Sequence, residues 1–156
     1  MIHELTHGLS DRLTGGAQTK ICMTDTESLG LSEGYSDIVA MILTAKPEDT
    51  RNTIKTLWGR KTQYRLGEIW ATMLWEVYWN FVDAYGFSAN LHDATQKEGN
   101  IIFLQLLVGT LMIQPCKLTF ISARDAMLAA DDAYYGGVHE HLIIKGFFKR
   151  GLGSIS

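Results

Sequence analysis

Residues 66–86 read "LGEIWATMLWEVYWNFVDAYG". Ile69, Met73, Tyr78 and Phe81 fall at intervals that bury one face of a helix, and Trp70, Leu74, Val77 and Val82 widen the same stripe. Gly86 stands where a helical C-terminal stop belongs. The aromatic set Trp70, Trp75, Tyr78, Trp79 and Phe81 reads at this spacing as core rather than as a ligand pocket.

The same period extends in both directions. Downstream, "FSANLHDATQKEG" (87–99) is loop, and "NIIFLQLLVGTLMI" (100–113) is a nearly all-apolar helix that belongs in the centre and is ended by Pro115. "TFISARDAMLAAD" (119–131) is amphipathic, with Thr119 as its cap. Arg124 and Asp125 within it pair with neighbours as structural groups. "VHEHLIIKGFFKRG" (138–151) closes the chain, with Lys149 and Arg150 placed to complement the helix dipole.

Upstream, "AKPEDTRNTIKTLWGRKTQYR" (45–65) has weak periodicity and reads as loop. A helix is predicted from about Ser28 to Thr44. Another covers residues 1–9, with Ile2, Leu5 and Leu9 on related faces, before "RLTGGAQTK" (12–20) breaks at Gly15-Gly16. No segment alternates as a strand does. The expected fold is mainly α, with residues 1–156 as a single helical unit.

Composition limits the function classes. The chain has 156 residues, 46% hydrophobic and 20% charged, which is enough for a real core. A net charge of −3 provides no electrostatic footprint for nucleic acid or anionic lipid. No apolar run reaches the roughly 18 residues of a membrane span. Residues 1–20 lack a basic segment followed by an apolar one, so they do not form a secretory signal. Cys22 and Cys116 fit neither a CxxC redox motif nor a Cys-rich metal site; a long-range disulfide and two buried thiols both remain open.

The chemistry lies in "MIHELTHGLS" (1–10). His3 and His7 are four apart and share a helix face, where two imidazoles can ligate one ion. Zinc suits that donor type, and Glu4 between them matches the general base of an H-E-x-x-H hydrolytic centre. The competing reading is two solvated histidines. A catalytic zinc needs a third protein ligand and one open position. "LGLSEGYSD" (29–37) offers Glu33, across a glycine-bearing loop, and Asp37 one turn later on the same face. One carboxylate can bind zinc and the other can accept the N–H of a ligand histidine. Taken alone, the pair reads as a solvated acidic face.

"HELTHGLSDRLTGG" (3–16), "ESLGLSEGYSD" (27–37), "GEIWATMLWEVYWN" (67–80), "IQPCKLTFISARDAMLAAD" (113–131) and "KGFFKRGLG" (145–153) run in order along nearly the whole chain. Together they resemble the fungalysins, secreted fungal zinc metalloendopeptidases of the thermolysin-like group. The resemblance implies one zinc per chain on His3, His7 and Glu33, Glu4 as general base, and Asp37 as a supporting carboxylate. It implies protein or peptide substrates, with hydrophobic side chains favoured after the cleaved bond, and an extracellular location. It also implies that the chain is the helical C-terminal part of a longer catalytic domain, without the strand-rich N-terminal subdomain and the propeptide. A zinc-binding but proteolytically inactive module is the alternative, and a helical structural domain without metal is a third reading.

Three positions depart from the family pattern. The segment between Thr50-Arg51 and the G-E-x-W helix is shortened. Tyr64 stands where the family commonly has a histidine that donates to the oxyanion; a phenol O–H can also donate, and a half-buried aromatic beside the helix start is the equal alternative. His141 stands where the family often has a cysteine. His139 and His141, two apart, face different ways on a helix and read as solvated, as does His92 in its polar loop.

Overall fold

In the computed structural model, residues 1–16, 22–53 and 62–153 are described, with side chains from residue 65 in the last segment. Six helices follow one another, with no strand among the described residues: α1 (Ile2–Leu13), α2 (Thr26–Leu43), α3 (Thr62–Tyr85), α4 (Gly99–Ile113), α5 (Phe120–Tyr135) and α6 (Glu140–Phe148). The mainly helical expectation holds. The α3 helix begins a turn earlier than its periodicity indicates, and α1 runs on through Arg12 and Leu13, which had read as loop.

α3 is the central element and packs against α2, α4 and α6. Its Trp70, Leu74, Val77, Tyr78 and Phe81 are fully buried, and Trp75 and Trp79 nearly so. The aromatic set is core, and Trp70 stacks on Phe147 of α6. Ile69 is a correction: it is 48% exposed, because at 100° per residue it falls at the margin of the face centred on Trp70, Val77 and Phe81.

Local signals end the helices. Gly86 adopts φ 82° just after α3, a conformation that favours glycine. Thr119 caps α5 in a reciprocal box with Ser122. Gln114 takes an extended conformation before Pro115 and stops α4.

Two features join remote parts of the chain. Cys22 and Cys116 form a disulfide. Beside it, the buried Gln114 side chain donates to Thr14 Oγ1 at 2.6 Å and accepts from the Tyr35 hydroxyl at 2.9 Å. The Gln114 carbonyl accepts from Gly15 N–H at 3.1 Å, so the C-terminal end of α1 is tied to α4.

The Glu76 carboxylate of α3 accepts from Arg51, Lys149 and Arg150 at 2.7–2.9 Å. Lys149 and Arg150 therefore anchor the C-terminal end of α6 to α3 as well as complementing its dipole. Arg124 pairs with Asp125 and donates to the Leu152 carbonyl, holding the segment after α6 against α5.

His139 is a second correction. It is buried, its backbone N–H and ring Nδ1 both bonded to the fully buried Asp131 carboxylate, with Phe81, Tyr85 and Tyr135 around the ring. Period-based reasoning placed it outside because it ignores the turn between α5 and α6, which folds His139 back under α5. His141 and His92 are exposed.

Candidate metal centre

α1 buries a polar face. Its residues at positions 3, 6, 7 and 10 form one helical stripe, and this stripe packs on α2: Thr6 and Ser10 are buried, and His3 and His7 half-buried. Leu5 is 70% and Leu9 39% exposed, so the apolar face proposed for this helix points away from the described core.

The crossing of α2 and α3 sets the other half. A Cβ on Gly34 would stand 2.7 Å from the Gly67 carbonyl, and one on Gly67 would stand 2.9 Å from Glu33 Cβ. The two backbones therefore approach more closely than side chains allow, and this contact lodges the Glu33 turn between α1 and α3.

His3, His7 and Glu33 come together there, each offering one ligand atom. His3 Nε2 lies 3.2 Å from Glu33 Oε2 and 3.1 Å from His7 Nε2, and His7 Nε2 lies 3.6 Å from Glu33 Oε2. The remaining ring nitrogens face outward. His3 Nδ1 is 2.9 Å from Asp37 Oδ1, and His7 Nδ1 is 3.0 Å from Ser32 Oγ. Burial pushes the Asp37 carboxyl above its ordinary value, against the opposing pull of the His3 ring.

These three inward atoms form a donor set that one cation can satisfy. With Nδ1 of His3 donating to Asp37, its Nε2 presents a lone pair to a carboxylate oxygen and to a second imidazole nitrogen. A proton on His3 Nε2 would serve one of the two facing atoms well. A metal ion serves all three donors at once. Among the described residues, this is the one group of three such side chains that meets the geometry.

Glu4 is exposed at the next position around α1. Tyr64 lies in the first turn of α3, and its side chain is outside the described residues. Reading the sequence missed Ser32, Ser10 and Gly67. The signal for Ser32 was its place directly before Glu33, which puts it on the adjoining face of α2.

The family model described as fungalysin metallopeptidase matches residues 1–60 and 50–156. The chain belongs to the fungalysin metallopeptidase family.

Fungalysin relatives of this chain are named for their activity and location. It is 35% identical to an extracellular metalloproteinase of Aspergillus niger, over 98% of this chain and 30% of that protein. It is 37% identical to one of Neosartorya fischeri and 36% identical to one of Leptosphaeria maculans, each over 99% of this chain and 30% of the relative. The chain thus spans about 30% of the length of these curated relatives. Fungalysins are metal-dependent peptidases as a family. The Aspergillus niger alignment runs over 187 positions against 156 residues here, so the relative carries residues that this fungalysin lacks. The two family matches overlap at residues 50–60, which include the start of the shortened segment between Thr50-Arg51 and the G-E-x-W helix.

Proposed function

We propose that this chain carries the zinc-binding and catalytic helices of an extracellular metalloendopeptidase, with His3, His7 and Glu33 as the ligands of one zinc ion. The observation that carries the reading is the convergence of His3 Nε2, His7 Nε2 and Glu33 Oε2 from two helices at 3.1–3.6 Å from one another. Donors about 2.0–2.1 Å from a tetrahedral zinc stand about 3.3–3.4 Å apart, and two imidazoles with one carboxylate leave the fourth position open.

Zinc bound there would polarise the substrate carbonyl and lower the pKa of the attacking water. The chain's own residues supply the rest. Glu4, exposed on the same helix, takes the proton of that water and passes it to the leaving amine. Asp37 holds the His3 ring by its Nδ1 and keeps Nε2 directed inward. Tyr64 is assigned as the O–H donor to the oxyanion. Substrates are proteins or peptides, with hydrophobic side chains favoured after the cleaved bond.

Zinc content of the purified 156-residue chain tests the metal half. About one zinc per chain, lost in His3→Ala, is expected; folded wild-type chain without zinc would overturn it. Proteolysis abolished by Glu4→Ala with zinc retained tests the catalytic half. One observation favours a second reading, a zinc-binding module without turnover: the relatives carry residues that this chain lacks. That reading expects one zinc and no cleavage in wild type.

A further inference from the structure

We infer that a hydroxyl relay of Ser10 and Ser32 holds His7 in the tautomer that presents a bare Nε2 to the metal. The metal-affinity part of this inference rests on the zinc reading above; the tautomer part does not. Ser10 Oγ lies 3.1 Å from the His7 carbonyl oxygen, Ser10 Oγ and Ser32 Oγ are 3.4 Å apart, and Ser32 Oγ lies 3.0 Å from His7 Nδ1. Ser10 is fully buried and Ser32 is 4% exposed, so bulk water does not compete for these bonds.

The direction of the relay follows from its end point. A backbone carbonyl only accepts, so Ser10 O–H donates to His7. Ser10 then has lone pairs, and no proton, for Ser32. Ser32 O–H therefore donates to Ser10, and its own oxygen is left to accept from His7 Nδ1–H. The opposite sense, Ser32 donating to Nδ1, would set two hydroxyl oxygens facing each other with no proton between them. The relay thus starts and ends on His7: its carbonyl orients the hydroxyl that orients the hydroxyl that orients its ring. Ser10 and Ser32 are positioning residues, acting through His7.

The experiment is nitrogen NMR of the histidine rings in the metal-free, full 156-residue chain above the pH of imidazole protonation, followed by zinc titration against a competing chelator. Wild type is expected to show His7 protonated at Nδ1. Ser32→Ala is expected to lose that preference and to bind zinc about 10–100-fold more weakly. Ser32→Thr, which keeps a hydroxyl, restores both. Should Ser32→Ala not fold by circular dichroism, Ser10→Ala provides the same readings, with a smaller loss of the Nδ1–H tautomer. A wild-type His7 protonated at Nε2 overturns the relay. So does an unchanged tautomer with unchanged zinc affinity in a folded Ser32→Ala chain. A wild type that binds no zinc, yet loses the Nδ1–H tautomer on Ser32→Ala, supports the relay while overturning the zinc reading.

Discussion

His3 Nδ1 stands 2.9 Å from Asp37 Oδ1, while Glu33, one turn earlier on the same helix, stands 3.2 Å from Nε2 of the same ring. One helix thus engages both nitrogens of a single imidazole: Asp37 meets the outer nitrogen, and Glu33 sets a carboxylate oxygen beside the inner one. Replacing Asp37 by Ala is expected to weaken zinc binding about 10–100-fold, with Asn, which keeps an accepting oxygen, costing less. Chelator competition on the folded variants measures this, and equal affinities for Ala and wild type would remove Asp37 from the site.

The close crossing at Gly34 and Gly67 leaves no room for a methyl group. Gly34→Ala is expected to destabilise the chain by about 1–3 kcal/mol, because the added Cβ meets backbone and the Trp70 ring rather than a flexible side-chain end. It should also weaken zinc binding, since Glu33 rides on the displaced turn. Urea denaturation with a parallel zinc titration reads both effects, and a variant as stable as wild type would mean that α2 and α3 are free to part.

Burial alone would raise the pKa of Glu76, but hydrogen bonds from Lys149, Arg51 and Arg150 outweigh it and hold the carboxyl below its ordinary value of 4.5. The sign follows: a depressed folded-state value contributes stability that is complete above the ordinary value and is lost as pH falls below it. Glu76→Gln is expected to cost about 1–3 kcal/mol near neutral pH. That difference should shrink as the pH falls below 4.5. Urea midpoints of both chains across this range test it; a gap that stays constant into acid would assign the cost to something other than the charge.

The Cys22–Cys116 bond closes a loop of 94 residues. Chain entropy assigns such a cross-link about 4–5 kcal/mol, so its reduction should lower Tm by about 10–15 °C. Differential scanning calorimetry with and without a strong reductant, and on the Cys22→Ser, Cys116→Ser double variant, measures this. A Tm unmoved by reductant and by the double replacement would show that the Gln114 contacts alone hold the end of α1.

Local chemistry was legible where it acts over one or two turns. The apolar stripe of residues 70–81, the cap at Thr119, the stops at Gly86 and Pro115, and the pairing of His3 with His7 on one helix face all concern neighbours within a few residues. Covalent geometry and the helical period settle such relations. Glu33 and Asp37 were legible as a matched pair for the same reason.

Burial is a different matter, because it depends on what a helix face meets. The period of α1 placed Ile2, Leu5 and Leu9 on related faces, yet Leu5 and Leu9 are exposed and Thr6 and Ser10 lie inside. Hydrogen bonds to α2 make that polar face the one that packs. His139 had read as solvated until the turn between α5 and α6 brought it onto Asp131. Spacing along single segments was enough to read the helices, the stops at Gly86 and Pro115 and which side chains could serve as metal donors, since these follow from backbone sterics; the C-terminal end of α1 and the start of α3 were not read correctly. The tertiary structure alone decided that Ser32 meets His7, that Gly67 seats Glu33 and that Gln114 ties α1 to α4, because these contacts join residues whose separation along the chain carries no information about their distance in space.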